Sequence, residues 1–168
     1  MSWSRRALVL LIAAAPLAGC GFHPLYSESA RQVDEPVLAA IKVSPIPNRI
    51  GQQLEFALRE ELNPRGADAK TLYRLDVKLT VGAVDLGIQR DNTATTGRVD
   101  VFATFDLVDL KTNKPIYSSR ARTTASYDIT NDAFAAEVAY EDARTRNVKE
   151  LTEEISIRLA LFLRQKRA

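Results

Sequence analysis

Arg74-Leu75-Asp76-Val77-Lys78-Leu79-Thr80-Val81 is the stretch on which the fold turns. Apolar Leu75, Val77, Leu79 and Val81 alternate with polar Arg74, Asp76, Lys78 and Thr80. A period of two belongs to a strand, whose successive side chains point to opposite faces. One face is therefore packed and the other wet. Past Gly82-Ala83 the apolar phase shifts to Val84, Leu86 and Ile88. Such a shift predicts a bulge, in which one extra residue swaps the faces and bends the strand. Asp91 to Gly97 reads as a polar tip. Val99, Val101, Ala103, Phe105 and Leu107 repeat the alternation, Lys111-Thr112-Asn113-Lys114-Pro115 turns the chain, and Ile116 to about Tyr127 returns. These three strands form a long meander.

Working outward, a strand is predicted from Val37 to about Ile46, with Ile41 and Val43 on one face. Pro45 and Pro47 end it, since proline has no N–H to give a ladder. Ile50, Leu54, Leu58 and Leu62 recur every fourth residue and make one apolar stripe, predicting a helix from Arg49 to Leu62. Asn48 is its candidate N-cap, and Asn63-Pro64-Arg65-Gly66 its stop. Val148, Leu151, Ile155, Leu159 and Phe162 mark a second helix over Val138 to Arg167, with Arg164, Lys166 and Arg167 suiting the negative end of its dipole. The expected fold is α+β, in the order β-α-β-β-β-α. Two helices pack on one face of a mixed, mostly antiparallel sheet of about four strands.

The N-terminus has a different character. Met1-Ser2-Trp3-Ser4-Arg5-Arg6 is basic, and Ala7 to Leu17 is apolar except for Pro16. The run is too short for a spanning helix, which needs about 20 residues, and it fits a secretory signal. Leu17-Ala18-Gly19-Cys20 matches the bacterial lipobox in all four positions. That resemblance implies thioether attachment of diacylglycerol to Cys20, cleavage after Gly19, and acylation of the new N-terminus by a fatty acid such as palmitate. Cys20 is the only cysteine, so the chain has no internal disulfide, and acylation accounts for an unpaired thiol in an exported protein. Several acyl chains, at about 0.8 kcal/mol per buried CH₂, hold stably to a membrane. Gly21 resembles the class sorted to the outer membrane. Ser4-Arg5-Arg6 only faintly resembles a twin-arginine signal, which favours general secretion. Residues 1–19 are thus the signal peptide, 20–36 an acylated tether, and 37–168 the folded domain.

Removing residues 1–19 leaves 149 of the 168, enough for one domain with one core. The signal takes Arg5 and Arg6, so the 23 basic residues fall to 21 against 21 acidic ones. The mature chain is neutral, and a nucleic-acid partner is not indicated.

Catalytic constellations are missing from the sequence. His23, the only histidine, sits in the tether; a Ser-His-Asp or Cys-His triad needs one in the fold, and a metal site needs more ligands. No glycine-rich phosphate loop occurs, and Glu60-Glu61 and Glu153-Glu154 diverge on their helices. Asp100 and Asp106 alternate with apolar residues and read as an exposed sheet face. An enzyme is not expected, and no cofactor beyond the acyl groups on Cys20. Basic residues gather locally: Arg90 and Arg98 flank the polar tip, Lys111 and Lys114 mark the opposite turn, and Arg120 and Arg122 share a strand face. Solvated charge, paired across strands with acids such as Asp91, is the plain reading. Contact with anionic phosphates through charge-assisted hydrogen bonds is the functional one.

Gly21-Phe22-His23-Pro24-Leu25-Tyr26 after the lipobox, Ile46-Pro47-Asn48-Arg49-Ile50-Gly51-Gln52-Gln53-Leu54 opening the first helix, and the meander followed by a long helix together resemble the LptE family of lipopolysaccharide-assembly lipoproteins, in its alphaproteobacterial form. The resemblance covers essentially the whole chain. It implies an outer-membrane lipoprotein, anchored on the periplasmic side, that plugs the LptD β-barrel one-to-one, helps assemble it, and binds lipopolysaccharide in transit. A neutral domain with polar strand faces suits a polar barrel lumen. Arg90, Arg98, Lys111 and Lys114 are the candidate lipopolysaccharide contacts. The competing reading is a periplasmic adaptor or chaperone binding a soluble protein or peptidoglycan, with an exposed sheet edge recruiting a partner strand.

Overall fold

The computed structural model describes residues 37–66, 69–88 and 94–167, without the side chains of 85–88, 94 and 95. Cys20, the tether 20–36 and Arg90 lie outside the described residues. The elements are β1 (Ile41–Val43), α1 (Arg49–Leu62), β2 (Tyr73–Ile88), β3 (Ala94–Asp109), β4 (Lys114–Asp128) and α2 (Ala133–Arg167). The order is the expected β-α-β-β-β-α. The strands form one sheet, β1-β2-β3-β4, in which β1 runs parallel to β2 and the other pairs are antiparallel.

The expected strand from Val37 to Ile46 contracts to three residues. Before it, Ala40 N–H bonds back to Val37 O, and Ala40 O accepts both Leu72 and Tyr73 N–H. After it, Ser44 N–H adds one bond to Leu75 O at 2.9 Å, and Pro45 and Pro47 end the ladder. Ile46, Asn48 and Gly51 then make a packed corner. Ile46 N–H donates to the Glu55 carboxylate at 3.1 Å, and a Cβ on Gly51 would lie 2.7 Å from Ile46 Cγ2. Asn48 occupies the N-cap position of α1 with φ 70° and ψ 162°, outside the left-handed helical well and strained for a residue with a side chain. Its carbonyl accepts Gln52 N–H at 2.9 Å, and its side chain makes no capping bond. The helix ends as expected, with Gly66 at φ +59°.

The shift of apolar phase at Gly82-Ala83 is not a bulge. Pairing of β2 with β3 is continuous from Tyr73↔Asp109 through Gly82↔Asp100 to Ile88↔Ala94. Instead the packing thins out: Leu75 and Val77 are buried, whereas Val81 is 38% and Val84 44% exposed. The register shift lies between Leu107 and Val108, against β4. β3 also starts at Ala94, so part of the expected polar tip is strand.

Both helices lie on the face carrying Leu75, Val77, Val99, Val101, Phe105 and Leu107. From α1, Leu54, Leu58 and Leu62 meet Leu151, Ile155 and Leu159 of α2 there, all 0–1% exposed. Each such side chain contributes about 1.5–3 kcal/mol of burial. α2 begins earlier than the stripe suggested, at Ala133 and not Val138. Asp132 caps it there: Oδ1 accepts Phe134 N–H at 2.9 Å and Ala135 N–H at 3.3 Å. Its 35 residues span about 52 Å, close to the roughly 54 Å of the 16-residue β3. Arg146 of α2 donates to Ser126 O near one end of β4, and Phe162 stacks on Tyr117 near the other at 4.6 Å.

Candidate functional site: the uncovered sheet face

With both helices on one face, every second strand residue points to the other face, which no described element covers. The registers line up its rows. Asp76, Asp106 and Ser118 form one; Lys78, Thr104 and Arg120 the next; then Thr80, Phe102 and Arg122; then Gly82, Asp100 and Thr124; then Val84, Arg98 and Ser126. β1 adds Lys42 beside Arg74.

Acids on this face are held by neighbours. Asp76 accepts from Arg74 Nε at 3.1 Å and from Ser44 Oγ at 2.5 Å. Ser118 Oγ donates to Asp106 at 2.5 Å. Asp100, only 6% exposed, accepts from Thr124 Oγ1 at 2.7 Å, Arg122 Nη2 at 3.0 Å and Arg98 Nε at 3.2 Å. The Thr124 hydroxyl and the Arg122 guanidinium, with the charges of Arg98 and Arg122, hold its carboxyl below the ordinary value of 3.8, against the opposing pull of desolvation. Arg122 also lies over the exposed Phe102 ring, 4.9 Å from its centroid.

Lys78 and Arg120 differ. They flank Thr104 in one row, both exposed, and among the described residues no carboxylate pairs with either. Two strand spacings separate their backbones by about 10 Å. Together with the Arg98–Asp100–Arg122 trio, which carries two positive charges against one negative, they give the middle of the face a surplus of donors. A phosphate or other oxyanion set there would take charge-assisted hydrogen bonds. Among the described residues no three His, Cys, Asp or Glu side chains group to hold a metal, and no helix is long and apolar enough to cross a membrane.

The structure separates the candidate residues named from sequence. Arg98 lies on this face, toward the β2–β3 tip. Lys111 and Lys114 are exposed at the β3–β4 turn, where Lys111 N–H bonds Asp109 Oδ1 at 2.8 Å and Asn113 takes φ 53°. From Arg98 to Asp109 is roughly 37 Å along β3, so these do not form one site. Arg120 and Arg122 do share a face, as expected. Lys78 was missed, although its alternation with Val77 and Leu79 on either side was plain. Only the register, fixed by the turns, places it in a row with Arg120.

A family model described as LptE, lipopolysaccharide-assembly, matches residues 38–159. Among solved structures, a Caulobacter crescentus protein described as a lipoprotein superposes with TM-score 0.65 at 25% identity, covering 80% of this chain and 97% of that one. A minor lipoprotein of Acinetobacter baumannii gives TM-score 0.57 at 19% identity, covering 74% and 94%. The rare lipoprotein B of Shewanella oneidensis gives 0.57 at 12%, covering 76% and 98%. No curated protein sequence matches the chain.

Proposed function

Because the chain belongs to the LptE lipopolysaccharide-assembly family, matched over residues 38–159, we propose that it is a lipoprotein of the outer membrane, acylated on Cys20 and facing the periplasm, that plugs an LptD β-barrel one-to-one. In that place it assists assembly of the barrel and contacts lipopolysaccharide on its way to the surface. Its action is to bind and position, not to catalyse.

The observation that carries this reading is the uncovered sheet face. Lys78 and Arg120 share one row there, without a carboxylate partner among the described residues, and Arg98 and Arg122 gather around Asp100 beside it. A polar face of this kind is compatible with a water-lined lumen. Its surplus of basic donors suits the phosphates of lipopolysaccharide. Arg90 adjoins the same tip in sequence. Lys111 and Lys114 stand at the other end of the sheet and would meet a different part of the ligand or barrel.

The test is affinity isolation of the tagged full-length chain from detergent-solubilised envelopes. Recovery of an outer-membrane barrel at one-to-one stoichiometry, with lipopolysaccharide, is the expected result. Recovery of the lipoprotein alone, from extracts in which the barrel is intact, would overturn the plug reading.

A further inference from the structure

The two lateral edges of the sheet are finished differently. At the β4 edge, α2 reaches over the side. Arg146 Nη2 donates to Ser126 O at 3.0 Å, and Arg158 Nη1 donates to Arg120 O. Two outward carbonyls of β4 are thereby occupied, and Pro115 and the exposed Arg120 and Arg122 further discourage pairing.

At the other edge, β1 stops short. It pairs with β2 only at Tyr73, Arg74 and Leu75, and Ser44 adds the last bond, to Leu75 O. β2 runs on to Ile88 in unbroken register with β3. The direction of its main-chain groups follows from the bonds at its start. Tyr73 N–H and Leu75 O both point toward β1. Because these groups alternate along a strand, those of Val77, Leu79, Val81 and Ala83 point the same way, where no described strand meets them. The stretch contains no proline and no bulge, and from Val77 to Val84 the exposed Lys78 is the one charged side chain that blunts it. Val81, 38% exposed, adds apolar surface beside it.

We infer that the outer edge of β2 from Val77 onward is a strand-docking edge, taken by an extended segment of the barrel partner, which joins the sheet beyond the end of β1. The inference rests on the barrel reading given above. The chemistry of the edge describes its occupant. Apolar side chains would continue the packed face beside Leu79 and Val81, and an acidic side chain on the uncovered face would answer Lys78. A loop of the barrel that reaches into the lumen can carry such alternation, and its main-chain groups, unlike those of the closed wall, are free to supply the hydrogen bonds of attachment. A second copy of this chain fits less well. In an antiparallel β2–β2 pair, Lys78 can face Asp76 only in a register centred on Val77, and β1 obstructs that register from Leu75 downward.

The experiment is hydrogen exchange read at single amides, on the full chain alone and on its isolated complex with the barrel. In the free chain the amides of Val77, Leu79, Val81 and Ala83 should exchange fast and those of Lys78, Thr80 and Gly82 slowly. In the complex the first set should slow by about tenfold or more, with the amides of Arg122 and Thr124 on β4 unchanged; this scale follows from ladder bonds replacing solvent. A companion variant, Val81→Pro, removes an outward N–H and leaves the β3 ladder intact. It should weaken the complex at least about tenfold while α2 keeps its protection. An intact complex in which the Val77, Leu79, Val81 and Ala83 amides stay fast overturns the docking edge and leaves the barrel reading standing. Slow exchange of those amides in the free chain, whether or not it deepens with concentration, overturns it as well, by giving the edge to the chain itself or to a second copy. Failure to obtain any barrel complex sinks both readings.

Discussion

The side-chain amide of Asn147 on α2 donates to the main-chain carbonyl of Val99 on β3 across 3.0 Å, with both residues fully buried. Thr123 Oγ1 on β4 in turn donates to Asn147 O at 3.3 Å. One helical residue therefore ties α2 to two strands at a single level of the core. Asn147 Oδ1 is left without a partner, so the site is only partly satisfied. Asn147→Leu, which removes one bond and one orphaned acceptor together, should change stability by less than about 1.5 kcal/mol. Asn147→Asp sets a buried carboxylate against the Val99 carbonyl and should cost about 2–4 kcal/mol at neutral pH. Urea unfolding of both variants checks the order, and a milder effect for Asp than for Leu would contradict it.

Gly97 stands directly across from Tyr127 in the β3–β4 ladder, and the Tyr127 ring lies where a Cβ on Gly97 would be. Tyr127 also packs edge-on to Tyr140 of α2, with centroids 5.5 Å apart. Gly97→Ala should push the ring away and cost about 1–3 kcal/mol. In the Tyr127→Ala background the same change should cost distinctly less. A double-mutant cycle measures the difference, and strict additivity would show that the ring is not the obstacle.

Asp100 gives the face a pH dependence whose sign can be stated. Its folded pKa lies below the ordinary 3.8, so its contribution to stability is fully present above that value. It is lost as pH falls through the lowered folded pKa. Between about pH 5 and pH 2 the wild type should therefore lose stability more steeply than Asp100→Asn, a window set by the ordinary carboxylate value and its downward shift. Parallel curves for the two proteins would remove Asp100 from the acid response.

Lys78→Glu with Arg120→Glu should weaken binding of purified lipopolysaccharide by about tenfold or more, as expected for losing charged hydrogen bonds worth roughly 1.5–3 kcal/mol each. Both side chains are exposed, so thermal unfolding should shift little. Lys111→Glu with Lys114→Glu makes the same charge change at the far turn and serves as the comparison. If the far pair alone weakens binding, the contact lies at the turn and not on the sheet face.

Cys20→Ala removes the thiol on which the anchor would be built. The variant should leave the membrane fraction and lose the acyl mass, while keeping the unfolding transition of the 37–168 domain. Mass spectrometry of the wild-type N-terminus is the direct check, and an unmodified Met1 or a processed end other than Cys20 would refute the lipobox reading.

The elements read correctly from sequence are those in which every residue of a period is covered. Ile50, Leu54, Leu58 and Leu62 are all buried, and the stripe gave the bounds of α1 to the residue. The phase shift at Gly82-Ala83 misled because apolar residues there escape the helices; Val81 and Val84 are both exposed, so pattern no longer reports facing. The actual irregularity lies in the pairing with β4, where Tyr117 faces Leu107 and Pro115 faces Val108, so that Ile116 is the extra residue; β3 keeps its regular register with β2 there, and its alternation carries no sign of it. At Ala133-Phe134-Ala135-Ala136 the helix is fixed by the Asp132 cap instead of by burial. The basic residues were legible as types. Their grouping was not, since Lys78 comes beside Arg120, and Arg98 beside Arg122 on Asp100, only through registers set by β-strand pairing over long separations.

The length match between α2 and the strands it covers has a consequence for the order of events as the exported chain folds. Val99, Val101 and Phe105 are sealed from water by Leu151, Ile155 and Leu159, which belong to the final element of the chain. Until those last residues emerge, the meander can pair its strands but cannot close its apolar side. Such an intermediate presents greasy surface and open edges at once. Completion is therefore late, and losing Leu151, Ile155 and Leu159 with the C-terminal half of α2 would leave the meander with α1 alone on its apolar face.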